Sequence, residues 1–166
     1  LAKAITNGYF PFGACMLNEK IVSTFENDKT TFGNIGHGYT YSAHPVGAAA
    51  ALACIPEMAR LNVADNAAVR GAELIALAEG LKAKHGLVGD VRGKGLMVAL
   101  EIVSDRAKKL PGAKDTMQKI FDATYAEGVM IRISGNTIIL SPPLIITAGD
   151  IAKIVAAIDV GLTAAA

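Results

Sequence analysis

The chain has 166 residues, the length of one average domain, and its 52% hydrophobic content with a positive mean hydropathy separates it from disordered chains. Sixteen basic and fifteen acidic residues are interspersed to a formal net charge of +1, which gives no electrostatic case for nucleic acid or an anionic membrane surface. Residues 48–54 are apolar, but Glu57 and Arg60 follow within a turn or two, so no uninterrupted run approaches the roughly 20 residues of a membrane span.

The first residues, Leu1-Ala2-Lys3-Ala4-Ile5, lack the apolar stretch and cleavage pattern of a signal peptide. Cys15 and Cys54 make neither a disulfide framework nor a metal-ligand spacing, so a reduced, cytoplasmic setting is expected. The chain opens at Leu1 without a methionine, in what reads as a loop, and its start therefore reads as a cut.

Gly13-Ala14-Cys15-Met16-Leu17 is a short apolar run of strand type, followed by a helical stretch over 19–26. Residues 27–42 are rich in Gly, Thr, Asn and Tyr with little periodicity, which predicts a long loop of the kind that usually carries function. A helix begins at His44-Pro45-Val46, with proline tolerated in its first turn. It is small and apolar on nearly every face through Cys54, implying deep burial, and Pro56 should kink it. Residues 64–85 form a second helix, with Leu74, Leu77 and Leu81 at three- and four-residue steps and charges at Arg70, Glu73 and Lys82 opposite.

Residues 88–92 and 96–103 read as strands, the second alternating Leu96, Val98, Leu100 and Ile102. A loop over 106–114, containing Pro111-Gly112, precedes a helix from Asp115 to about Glu127. Two short strands, 129–133 and 137–140, flank Ser134-Gly135-Asn136, whose Gly and Asn suit a tight hairpin turn. Ser141-Pro142-Pro143 stops the last strand, and Thr147 reads as the N-cap of a final amphipathic helix through Ile158. A boundary falls near 61–64, between a loop-dominated α/β segment and a compact α+β module.

Singly, the candidate functional residues carry little information. Lys3 is one surface-type lysine among sixteen basic residues. His37 and His44 lack Cys or carboxylate partners at ligand spacing, so no metal site is expected. Arg132 fits an ordinary strand-edge charge. Val91-Arg92-Gly93-Lys94-Gly95 contains a G-x-G but opens no helix, and so fails as a dinucleotide fingerprint. Thr40 and Ser42 fit turn residues.

Their order says more. The stretch from Lys3 through Gly8, Pro11, Gly13 and Ala14 resembles the lysine segment of the class III aminotransferases: lysine, two residues, a small residue, a glycine, then P-x-G-A. The resemblance continues at Gly38-Tyr39-Thr40-Tyr41-Ser42-Ala43-His44-Pro45-Val46-Gly47, at Val91-Arg92-Gly93-Lys94-Gly95-Leu96, and at Arg132, Gly135 and Ser141-Pro142-Pro143-Leu144. The four blocks stand in the family's order at compatible spacings and cover nearly the whole chain. The second block is most similar to the amine:pyruvate, or ω-amino acid, branch.

The resemblance implies an α/β architecture, the fold type I of pyridoxal-phosphate-dependent transferases. Residues 1–62 would end the large cofactor-binding domain, with its mainly parallel sheet, and 63–166 would form the C-terminal α+β small domain. It implies pyridoxal 5'-phosphate as cofactor, with Lys3 forming the internal aldimine and shuttling the α-proton. A lysine with that task must be partly neutral near pH 7, which desolvation and cationic neighbours favour. Gly8 and Gly13 would let the backbone turn beside the cofactor.

Thr40, with Tyr39, would reach the cofactor phosphate of the neighbouring subunit, with glycines 36 and 38 allowing close approach, so that the enzyme is at least a homodimer. Arg132 matches the mobile arginine that pairs with a substrate carboxylate and swings away for an apolar amine. The aspartate that pairs with the pyridine nitrogen, the ring-stacking aromatic and the glycine-serine part of the phosphate cup lie upstream in the family. The N-terminal half of the enzyme is therefore an expected partner, beside small-molecule amine and keto acid. The leading expectation is a transaminase moving an amino group from an amine or ω-amino acid to pyruvate or a similar keto acid. An aminomutase of the same fold and a non-catalytic fragment are the competing readings.

Overall fold

The computed structural model describes residues 1–27 and 36–166, which divide into two compact units, Leu1–Leu61 and Asn62–Ala166. The second has its own sheet and core. It opens with helix α3 (Val63–Lys84), continues through strands β1 (Val88–Lys94), β2 (Met97–Asp105) and β3 (Leu110–Pro111), helix α4 (Lys114–Ala126), and strands β4 (Arg132–Ser134) and β5 (Thr137–Leu140), and closes with helix α5 (Ala148–Ala165). The sheet is antiparallel in the order β1-β2-β5-β4, with β3 paired to the end of β2.

Period-two alternation buries Val98, Leu100 and Ile102 on β2 while Met97 stays exposed. The alternation ends at Val103, also buried, where the register shifts as β2 takes β3 as its neighbour. Above this face, Leu74, Ala78 and Leu81 of α3, Met117 and Ile120 of α4, and Ile151, Ile158 and Leu162 of α5 complete one continuous core. The stripe on α3 departs from expectation at one place. Leu77 is half-exposed, and the small Ala78 faces the core in its stead.

Close approaches are made where side chains are absent. A Cβ on Gly71 would lie 2.3 Å from the carbonyl carbon and oxygen of Gly95, so the β1–β2 turn rests directly on α3. Gly95 itself has φ +54°, and the Arg92-Gly93-Lys94-Gly95 motif is thus a hairpin end. Where α5 meets α4, a Cβ on Gly161 would sit 2.3 Å from Thr124 Oγ1 and 2.7 Å from the Ile120 carbonyl oxygen.

The joint between α3 and β1 is held by Arg106, whose Nη2 donates to the carbonyls of Lys82, His85 and Val88 at 2.6–2.9 Å. Asp159 of α5 accepts there from Lys84 Nζ at 2.6 Å and pairs with His85 Nε2 at 2.5 Å. The side chain of Asn66 donates to the carbonyls of Leu144 and Ile146, fixing the exit from the double proline to α3. Thr147 caps α5 in a reciprocal box with Asp150, as its sequence position predicts, although the helix runs seven residues past Ile158.

The first unit contains a single turn of 3-10 helix at Lys3–Thr6, helix α1 (Glu19–Asn27) and helix α2 (Pro45–Arg60). Two expectations change here. The run 13–17 makes no strand: only Gly13 bridges, to Ala2, and 14–17 are exposed. Helix α2 buries only Gly47 and Ala51, leaving Val46, Leu52 and Ile55 more than half exposed within this chain. The same helix includes Pro56 and continues to Arg60. The loop predicted over 27–42 lies partly outside the described residues; 36–44 is irregular backbone and turn, as expected. In the second unit, β3 occupies part of the loop predicted over 106–114, and β4 begins at Arg132, three residues after the start expected at Val129. Among the described residues, no single helix is long and apolar enough to cross a bilayer.

Candidate active site

The Lys3 segment is a closed loop. Leu1 and Ala14 exchange two hydrogen bonds, the Leu1 amino group donating to the Ala14 carbonyl at 2.6 Å and the Ala14 amide returning to the Leu1 carbonyl at 2.8 Å. Gly13 sits in this clasp, where a Cβ would approach the Leu1 carbonyl oxygen to 3.2 Å. Within the loop, buried Thr6 donates through Oγ1 to the Phe10 carbonyl at 2.6 Å, and Asn7 and Gly8 turn the chain at φ 49° and 80°. Phe10 and Phe12 then close over Gly47 of α2, where a Cβ would meet Phe12 Cδ2 at 2.5 Å and Phe10 Cδ1 at 2.9 Å.

Lys3 is held on this platform with φ 54°, a left-handed conformation that costs an ordinary residue about 1 kcal/mol. Such strain concentrates at functional positions, where the surroundings over-determine it. Its side chain is exposed and has no hydrogen bond or ion pair among the described residues. Its terminal nitrogen is sterically accessible, and the desolvation expected of it is not supplied by the described residues.

Thr40 occupies a corner of a second turn. Ser42 closes it twice, its amide donating to the Tyr39 carbonyl and its Oγ accepting from the Tyr39 amide, both at 2.9 Å. The amides of Thr40 and Tyr41 and the hydroxyl of Thr40 have no partner among the described residues. Three unengaged donors at an exposed turn suit a phosphate. A Cβ on Gly36 or Gly38 would meet no atom within 4 Å, so there is room for one. Tyr39 is exposed, its ring edge-on to His37 at 5.1 Å. Ala43 at φ 57° then turns the chain into His44, whose Nδ1 accepts from the Val46 amide at 3.2 Å and caps α2.

The second unit carries Arg132. It opens β4, an edge strand, opposite Ile139 of β5, with Ile131 and Ile133 turned toward the interior. The guanidinium is exposed, has no ion pair among the described residues, and borders a cleft of about 390 Å³ with Met130, Ser141 and Pro142. The other motif arginine, Arg92, is engaged: it pairs with Asp90 and Glu101, each at 2.9 Å, and these hydrogen bonds raise its pKa. The structure thus gathers Lys3, Tyr39 and Thr40 in one unit and Arg132 in the other. Sequence reading missed His44 as a cap. The signal was its place immediately before Pro45, but histidine is an uncommon cap beside Ser, Thr, Asp and Asn.

Comparison with known proteins decides the family. The sequence profile of "Aminotransferase class-III" matches residues 1–162. The chain belongs to the class III aminotransferases. It is 38% identical to the taurine–pyruvate aminotransferase of Bilophila wadsworthia (strain 3_1_6), over 98% of this chain and 38% of that protein. It is 32% identical to a probable mitochondrial gamma-aminobutyrate transaminase 3 of Oryza sativa subsp. indica, over 93% of this chain and 31% of that one.

Among solved structures, an amine transaminase from an uncultivated Pseudomonas species, in its PLP-bound (internal aldimine) form, superimposes with a TM-score of 0.92 at 40% identity. That match covers 98% of this chain and 37% of the other. A thermostable (S)-enantioselective omega-transaminase from Thermomicrobium roseum matches with a TM-score of 0.87 at 32% identity, over 99% of this chain and 36% of the other. This class III chain therefore spans less than two fifths of the length of these relatives. Its fold is that of the type I transaminases, of which the antiparallel second unit is one part.

Proposed function

We propose that this chain is the lysine-bearing part of a pyridoxal-phosphate-dependent ω-transaminase that moves an amino group from an amine or ω-amino acid to pyruvate or a similar keto acid. The observation that carries the reading is the family match over residues 1–162, which includes an exposed Lys3 with no partner among the described residues. The similarity to a taurine–pyruvate aminotransferase and to amine transaminases supports the donor and acceptor classes. Residues 1–62 would complete the cofactor-binding domain and 63–166 would form the small domain, acting with an N-terminal half in a homodimer or larger assembly.

The residues present fit the cofactor. When bound, pyridoxal phosphate supplies an electron sink for the pair left at the substrate's α-carbon. Lys3 would provide the amine that holds the cofactor aldehyde and afterwards accept and return the α-proton. Its strained backbone fixes where that nitrogen begins its reach. Thr40 Oγ1 and the Thr40 and Tyr41 amides would take the phosphate of a neighbouring subunit, with Tyr39 beside them. Arg132, without an ion pair among the described residues, would meet a substrate carboxylate with two parallel N–H donors.

The direct test is borohydride reduction of the full-length protein followed by peptide mapping. A pyridoxyl group on Lys3 is the expected result, and a mark on another lysine would remove the assignment. Lys3→Ala should lower turnover at least about a thousandfold, because nucleophile and proton carrier are lost together.

A further inference from the structure

We propose that His44 is a positioning residue that couples the loop carrying Lys3 to the turn carrying Thr40. The roles of Lys3 and Thr40 come from the functional reading above; the coupling itself comes from contacts within the first unit. His44 has neighbours from three directions. Its Nδ1 accepts from the Val46 amide at 3.2 Å, which pins the imidazole at the start of α2 and, in the neutral ring, leaves the proton on Nε2. Phe10 lies against the ring at 4.8 Å between centroids and 31° between planes. Tyr41 meets it edge-on at 5.9 Å and 69°.

These contacts join segments that share no hydrogen bond with each other among the described residues. Tyr41 stands beside Thr40 within the turn closed by Tyr39 and Ser42. Phe10 belongs to the clasped loop, and its carbonyl holds Thr6 at the end of the short helical turn that Lys3 begins. The path from Thr40 through Tyr41, His44, Phe10 and Thr6 to Lys3 is therefore continuous. Cap and aromatic contact both depend on one imidazole, so a shift of the ring is felt at both ends. In a shared-site dimer, Lys3 serves its own subunit while Thr40 serves the neighbour. His44 then ties the amine of one site to the phosphate contact of the other.

Two substitutions in the full-length protein separate a cap from a coupling. His44→Asn keeps a side-chain acceptor for α2 but removes the ring. His44→Phe keeps the ring and removes the acceptor. Amide hydrogen exchange in the cofactor-free protein reads each segment by itself. Under the proposal, the first turn of α2 in the Asn variant stays as protected as in the parent. The amides of Asn7 and Tyr9 and those of Tyr39 and Ser42, each bonded within its own segment, then exchange faster together, by about three- to tenfold, as the loss of two aromatic contacts implies.

The Phe variant should show the converse, an unprotected Val46 amide with both other segments retained. Full protection of all three segments in the Asn variant would overturn the proposal and leave His44 as a helix cap. So would faster exchange confined to one of the two segments. Failure of the cofactor assignment would show separately, as an unmarked Lys3 after borohydride treatment of the loaded enzyme, and would leave the exchange pattern as it is.

Discussion

Lys3 and Arg132 have the same local state, an exposed basic side chain with no partner among the described residues, yet they are held differently. Lys3 sits in a strained turn inside a clasp, so its backbone is fixed and only its stem can move. Arg132 lies on a regular strand, and its freedom is in the long side chain beside an open cleft. The reading of Arg132 as a carboxylate ligand makes a selective prediction. Arg132→Ala should raise KM for the keto acid about 10- to 100-fold, the value of a charged bidentate contact, and leave KM for an apolar amine donor nearly unchanged. Steady-state kinetics with both substrate types checks this. Equal losses for both would make Arg132 structural. Neither residue was legible alone, because an exposed lysine or arginine is what most surfaces carry. Their order among the glycine and proline motifs made them visible, and the interaction through His44 stayed hidden because Phe10 lies 34 positions away.

At the scale of elements, the sequence was most informative where local chemistry has one solution. Thr147 three residues before Asp150 forms its capping box, and Gly135 with φ 60° turns the β4–β5 hairpin. It was least informative where the solution depends on a distant neighbour. Leu110–Pro111 becomes a strand only because the end of β2 is available to pair with it. The run 13–17 looks like a strand but pairs only at Gly13. The apolar α2 reads as buried, yet Val46, Leu52 and Ile55 stay more than half exposed among the described residues.

The sharpest test of an element contact is Gly71. An alanine methyl there would overlap backbone atoms of Gly95, which cannot rotate away as a side chain can. Gly71→Ala should therefore cost about 3 kcal/mol in overlap, the upper end of overpacking because backbone must move, against roughly 1 kcal/mol gained from helix propensity. Urea denaturation would read the loss as a lower midpoint at unchanged slope.

Across the whole second unit, α5 is tied to the end of α3 through Asp159. Hydrogen bonds from Lys84 and then His85 hold its carboxyl below the ordinary aspartate range. A carboxylate with a depressed folded-state pKa adds stability that is complete above its unfolded value, near about 4, and is lost as pH falls through the lower folded value. Asp159→Asn should therefore be less stable than the parent at pH 7. The gap should close as both are taken below about pH 4, since the parent then loses the same charge. Thermal midpoints of the two proteins at pH 7 and in acid would show it; a gap that persists in acid would assign the effect to packing.

The margins of the sheet have a bearing on how the protein keeps to itself. Strand β1, on one side, carries Asp90, Arg92 and Lys94, and β4, on the other, is three residues long and opens with Arg132. Short, charged outer strands resist the edge-to-edge pairing by which sheets recruit copies of themselves into aggregates. Arg132 thus places a charge on this edge, beside the substrate role proposed for it. Removing it would leave exposed Met130 next to a bare three-residue edge, and the Arg132→Ala enzyme should scatter more light on prolonged warming than its parent.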